Sequence, residues 1–268
     1  MSVLGKIANM IFGSTVGKKK YQRFWQGVYH FALKGMNVGN GGSFDESGEK
    51  EALCYLRRDV FSDDSPVIFD VGANVGGYTM DVLSVLPDAR MHCFEPSRDT
   101  FEQLKKNVQS DKVTFNNFGI SDATTEATLY CNSDSGLASL FQRQFYENSN
   151  VKDIKSETIR LDTIDNYCGI NEIDHIDLLK LDIEGNEINA LNGAANMLNS
   201  QKIKAIQIEF GGCNLDSRTY FRDYWNLLSE NYYVYRILID GLQRIDTYYE
   251  TMELFHCTNY LFVKKIGM

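Results

Sequence analysis

The 268-residue sequence predicts an α/β protein built on a doubly wound, mainly parallel, Rossmann-like sheet. Three observations predict it. Short apolar runs alternate with stretches of helical periodicity through most of the chain. The first such run, VIFDVG (67–72), breaks into the glycine-rich turn ANVGGY (73–78). The next run ends on a single acid, Glu95, 25 residues after Asp70. The runs are continuous rather than alternating, as expected of parallel strands buried on both faces.

Taken in order, residues 1–35 read as partly helical, with Phe24, Trp25, Val28, Tyr29, Phe31 and Ala32 as an apolar face. The Gly/Asn/Ser-rich stretch 37–49 ends this extension, so residues 1–48 are expected to form a basic, helical extension and 49–268 the main domain. Ser47 starts a helix that runs through Glu49–Leu56. Pro66 precedes the first strand, where its missing N–H costs a ladder nothing. Tyr78–Leu86 reads as the next helix, 91–95 as strand two, Arg98–Val108 as a helix opened by Pro96 and Ser97, and 113–121 as strand three. Residues 127–131 and 157–161 are extra strands around a long polar connector, and long connectors in compact domains tend to be functional. Strand four is 176–185, a helix follows over Asn186–Met197, and strand five is 203–210. A helix at Arg218–Leu228 and strands 232–239 and 259–265 close the chain. Ligands of such sheets bind outside the carboxyl ends of the strands, which directs attention to the polar residues there.

Composition narrows the class. No apolar run reaches the roughly 18 residues that would span a bilayer, and Lys6, Asn9 and Gly13 interrupt the N-terminal apolar stretch, so no secretory signal is expected. The six cysteines are scattered without a CxxC pair and the four histidines are equally dispersed, which points to reduced thiols in a cytoplasmic protein rather than disulfides or structural zinc. A net charge of −9 argues against nucleic-acid binding. The charge is uneven: residues 1–44 hold six basic residues and no acid, which leaves −15 on the remainder. That arm reads either as a solvated face or as a peripheral contact with the inner face of an anionic membrane, through Ile7, Met10, Ile11, Phe12 and the lysines.

The turn after strand one carries the chemistry. Gly72, Gly76 and Gly77 let backbone approach a ligand, and Glu95 can accept the hydroxyl protons of a ribose. Together they describe an adenosine-containing cofactor. The dinucleotide fingerprint G-x-G-x-x-G is not met, because its second glycine is Asn74. Asp70 offers a carboxylate just before the turn, suited to a cationic amino-acid group rather than to a pyrophosphate.

With these residues in view, the chain resembles the FkbM-type methyltransferases. The resemblance rests on VIFDVGANVGGYT (67–79), CFEPS (93–97), GISD (119–122), RLDTIDNY (160–167), LLKLDIEGNE (178–187) and NYLFVK (259–264). It extends upstream to GMNVGNG (35–41) and SGE (47–49), which look like those of members found with glycan-building enzymes. It implies a class I methyltransferase fold, with a mostly parallel seven-stranded sheet, helices on both faces and an antiparallel last strand at Asn259–Lys265. It implies S-adenosyl-L-methionine as donor and methylation of a hydroxyl oxygen, often on a sugar. Carried across, Asp70, Gly72, Asn74 and Gly76 would line the methionine end, Glu95 would hold the ribose, Ser121 and Asp122 would sit near the adenine, and Tyr78 and Pro96 would also bind the cofactor. Asp182 and Glu184 would stand beside the methyl group.

An alcohol is a poor nucleophile at neutral pH, so transfer to oxygen calls for a base or a metal. Asp182 is the first candidate base, Glu184 and Glu209 the second, His256 the third. Asp182 and Glu209 end neighbouring strands and could together hold Mg²⁺, although strand-end carboxylates also cap helices. His92, His175 and His30 read as packing or surface residues. A sugar or glycan acceptor would meet residues 36–49 and 123–156, including Arg143. The competing readings are an NAD(P)-dependent oxidoreductase, against which Asn74 speaks, and a non-catalytic donor-binding module. Oligomeric state is not readable.

Overall fold

The computed structural model describes residues 6, 10–39, 43–132, 138–142 and 154–265. Twelve described strands form two sheets. In the larger, β1 (Val67–Val71) is central. It is flanked on one side by β2 (Arg90–Phe94) and β3 (Val113–Asn116), and on the other by β8 (Ile176–Leu181) and β9 (Ile203–Phe210). These five are mutually parallel. β12 (Thr258–Lys264) then pairs antiparallel with β9, and β10 (Tyr232–Leu238) pairs antiparallel with β12. This is the class I methyltransferase arrangement expected from the sequence, antiparallel last strand included.

The strands sort their side chains by period two. Val67, Phe69 and Val71 enter one apolar cluster, and Ile68 enters the other. On the Ile68 face lie α3 (Glu49–Asp59), α4 (Gly77–Val85) and α5 (Arg98–Asn107). The opposite face takes α6 (Ile164–Ile170), α7 (Glu187–Asn192), α8 (Ala195–Asn199) and α10 (Phe221–Leu228). Three shorter or outlying helices complete the described set: α1 (Gln22–Gly35), α2 (Phe44–Ser47) and α9 (Cys213–Ser217).

Several expectations are corrected. The large sheet has eight strands rather than seven, because β11 (Gly241–Ile245) adds an antiparallel edge to β10. Strand three does not run through to residue 121. The Asn117 side chain donates to the carbonyls of Glu95 and Pro96, so the chain turns away after β3. It then re-pairs as β4 (Gly119–Ile120) with β7 (Ile154–Asp162) in the second sheet, whose order is β4-β7-β5-β6. The extra strands are β5 (Thr125–Asn132) and β7, one antiparallel pair, with β6 (Ala138–Ser139) at its edge.

The helix expected over 186–197 is two helices. The Asp165 N–H takes the Gly193 carbonyl, and the Asp165 carboxylate caps the Asn196 and Met197 N–H groups. At the break, a Cβ on Gly193 would lie 2.1 Å from the Ser121 carbonyl oxygen, so only glycine permits that approach. The last helix begins at Phe221 rather than Arg218. Arg218 is left-handed at φ 57°, and the Glu253 carboxylate caps the N–H groups of Phe221 and Arg222. No described helix is long and apolar enough to cross a membrane.

Candidate functional site

The glycine turn is held by its neighbour strand. Gly72 and Ala73 donate their N–H groups to the Phe94 carbonyl at 3.0 Å. Gly72 has φ 86°, and a Cβ there would stand 1.9 Å from the Asp182 carbonyl oxygen, so the turns after β1 and β8 touch through a position that only glycine fills. The Asn74 N–H donates to Glu95 Oε2 at 3.0 Å and the Ser97 N–H to Glu95 Oε1 at 2.9 Å. Glu95 is therefore fixed at the end of β2 with both oxygens oriented. Gly76 serves packing instead: a Cβ there would collide with Val108 and Leu104 of the α5 region.

Beneath the turn runs a polar row. Asp70, Lys180 and Gln207 lie in register across β1, β8 and β9. Lys180 is buried, 3.6 Å from Asp70 Oδ1 and 3.1 Å from Asp182 Oδ2, with Tyr78 against it at 4.8 Å. Burial alone would depress its pKa, but the Asp182, Asp70 and Glu49 carboxylates outweigh that and hold the ammonium charged. Gln207 donates to Glu49 Oε1 at 2.7 Å, and Ser47 Oγ to Glu49 Oε2 at 2.9 Å, which ties α3 to the floor of the site. Asp70, expected at the methionine end of the donor, does not line the cavity above that floor. It is fully buried, accepts from Thr79 Oγ1 at 2.7 Å and acts as the counter-ion of Lys180.

Above this floor lies a cavity of about 820 Å³, its open mouth included. Of the anticipated residues, Gly72, Asn74, Glu95, Pro96, Asp182 and Glu184 line it. Its other wall is apolar: Ile120, Leu129, Leu140, Ile159 and Leu161, mostly from the second sheet. A cavity with one apolar wall and a few oriented acids suits a nucleoside-containing ligand. Asp70, Gly76, Tyr78, Ser121, Asp122, Glu209 and His256 do not line it. Ser121 is buried with its carbonyl against Gly193, and Asp122 is exposed. His256 is exposed with its ring 6.5 Å from that of Tyr29. Arg143 and Ile7 fall outside the described residues.

The sequence reading missed Lys180, Glu49 and the apolar wall. A signal for Lys180 was present, since a lysine inside a strand buried on both faces needs a counter-charge. The β5–β7 wall had no such signal, because its apolar residues read as ordinary strand packing.

The acids divide by environment. Asp182 is 37% exposed toward the cavity. The Glu184 carboxylate contacts the Cys213 thiol, and its carbonyl accepts from Ser139 Oγ at 2.8 Å. Burial, then the Asp182 charge, push Glu209 up to about 8. Burial thus disfavours the ionised form of the Glu209 carboxyl. Among the described residues no group of three or more acid, histidine or cysteine side chains could hold a metal ion. Elsewhere, His92 packs on Phe69 and bonds the Tyr167 hydroxyl at 2.8 Å, burial pushing it down to about 4. His175 lies 3.4 Å from Asp177, and His30 is exposed.

Burial also pushes Glu95 and Glu187 up to about 7 each. These folded-state values lie above the ordinary 4.5, so the stability they contribute is complete below that value and is lost as pH rises through 7 to 8. The melting temperature of the free protein is expected to fall between about pH 5 and about pH 8. Of the three only Glu95 lines the cavity, and a ligand whose hydroxyls donate to its ionised carboxylate should offset part of the loss. Scanning fluorimetry with S-adenosylmethionine should therefore give a larger shift at about pH 8 than at about pH 6. An equal or smaller shift at the higher pH would contradict this.

The family model described as "Methyltransferase FkbM domain" matches residues 70–237. The chain is similar to hexuronic acid methyltransferase AglP of Haloferax volcanii, 28% identical over 170 residues, covering 62% of this chain and 65% of that protein. It is similar to 2-O-methyltransferase NoeI of Sinorhizobium fredii, 23% identical over 147 residues, covering 50% and 59%. The crystal structure of methyltransferase FkbM from Methylobacillus flagellatus KT aligns at 19% identity and a TM-score of 0.49, covering 80% of this chain and 47% of that one. The chain spans less than two thirds of the length of each of these proteins.

Proposed function

Since the chain belongs to the FkbM methyltransferase family, we propose that it transfers the methyl group of S-adenosylmethionine to a hydroxyl oxygen of a sugar-containing acceptor. The observation that carries this reading is the joint placement of Glu95 and Asp182 on one cavity, opposite an apolar wall. The names of two relatives, a hexuronic acid methyltransferase and a 2-O-methyltransferase, support the sugar hydroxyl.

S-Adenosylmethionine supplies an electrophilic methyl on a sulfonium. Glu95, held by the N–H groups of Asn74 and Ser97, would accept the ribose hydroxyls. Ile120, Leu161 and their neighbours would cover the adenine and exclude water. Asp182 would accept the proton of the acceptor hydroxyl as the new C–O bond forms and the C–S bond breaks. Lys180 would hold the Asp182 carboxylate in place through its 3.1 Å contact. Glu209, which does not line the cavity, is the weaker candidate for that role.

The test is incubation with S-adenosylmethionine and a panel of uronic-acid and neutral-sugar glycans, read by mass spectrometry. Gain of one methyl group on an oxygen, located by fragmentation, is the expected result. Methylation only at nitrogen or carbon, or none on any glycan despite donor binding, would overturn the sugar-hydroxyl reading.

A further inference from the structure

The N-terminal arm carries an apolar face that no described part of the chain covers. Phe24, Val28 and Phe31 follow the i, i+4, i+7 spacing of one helical stripe on α1, and all three are exposed, Phe31 by 79%. The segment before α1 folds back to extend the patch. The Phe12 ring lies 5.8 Å from Phe24 and 5.9 Å from Trp25, and Trp25 Nε1 donates to the Thr15 carbonyl. Met10, Ile11 and Val16 are exposed beside it. Single exposed apolar residues are ordinary, but a contiguous aromatic and aliphatic patch of this kind marks a docking surface.

Charge selects the occupant. Residues 1–44 contain Lys6, Lys18, Lys19, Lys20, Arg23 and Lys34 and no acid, whereas the rest of the chain carries −15. Rings and aliphatic tips next to a lysine cluster match an anionic lipid surface: the apolar side chains enter the headgroup boundary while the ammonium groups meet phosphate. We propose that residues 10–36 seat this protein on an anionic membrane surface.

The arm is also anchored at the cavity end of the large sheet. The Gly39 N–H donates to the Cys257 carbonyl at 2.8 Å and Asn37 Nδ2 to the Ile237 carbonyl at 3.1 Å. Cys257 directly precedes β12, whose first residues pair with Phe210 and Glu209. Docking through the arm would therefore bring the strand ends that carry the site toward the lipid surface. The docking itself does not depend on the methyl-transfer reading.

The experiment is co-sedimentation of the full chain with vesicles of phosphatidylcholine alone and of phosphatidylcholine mixed with phosphatidylglycerol. Binding is expected to the anionic vesicles only, and to weaken with salt. A lysine near such a surface contributes about a five-fold factor in partition, so reversing Lys18, Lys19 and Lys20 to glutamate should lower it by at least about 100-fold. Phe24→Ser with Phe31→Ser should abolish residual binding at high salt. Thermal melts of both variants should keep the main wild-type transition, since none of these side chains enters either large apolar core cluster. No sedimentation, equal binding to neutral vesicles, or an unaffected lysine variant would overturn the proposal. So would light scattering that shows a dimer broken by the phenylalanine substitutions, which would give the face to a second copy.

Discussion

Asp182→Asn should lower kcat by about 10²–10⁴ while S-adenosylhomocysteine binds within a few-fold of the wild-type value. The asparagine keeps the size of the side chain and loses the ability to take a proton. The fold should tolerate it, because Lys180 retains Asp70 as a counter-ion at 3.6 Å. The Asp182 carbonyl that meets Gly72 is backbone and is unaffected. Steady-state kinetics with the acceptor found by mass spectrometry, alongside calorimetric Kd values for the product cofactor, would separate the two effects. An unchanged kcat would remove Asp182 from the chemistry and shift attention to Glu209.

Glu95→Ala should act on the other side of the reaction, raising the Kd for donor by about 10²–10⁴. Two hydroxyl hydrogen bonds to a charged acceptor are worth about 1.5–3 kcal/mol each, and their loss converts to that range. The substitution also leaves the N–H groups of Asn74 and Ser97 without their side-chain acceptor, which loosens the turn. Glu95→Gln retains one acceptor oxygen and should fall between. At saturating donor, kcat should recover substantially in both variants, because Glu95 does not reach the proton that moves. A Kd within a few-fold of wild type for Glu95→Ala would place the ribose elsewhere.

The parallel core was legible because its strands are buried on both faces, and VIFDV, RMHCF and IDLLKL therefore read as apolar runs. The glycine turn and Glu95 were legible because their chemistry is local. What escaped depends on distant contacts. Strand three ends early through Asn117, which reaches back to carbonyls at the end of β2. The helix after β8 breaks because Asp165 intervenes from α6. β11 is a half-exposed edge with Gln243 and Arg244 facing solvent, and it carries little apolar pattern. In the site, Asp70 looked like a ligand because it adjoins the turn, and only the register with Lys180 shows that it neutralises a buried cation. His256 followed the same logic of position near a strand end, but its ring lies out against Tyr29.

On the proposed reading, an adenosyl donor binds in the cavity formed by the oriented acids and the apolar wall. Calorimetric titration of wild-type protein with S-adenosylhomocysteine, repeated with reduced nicotinamide dinucleotide, tests it most directly. One saturable site for the former with a Kd of roughly micromolar order, and no heat from the dinucleotide, is the predicted result. Saturable dinucleotide binding with none for S-adenosylhomocysteine would contradict it.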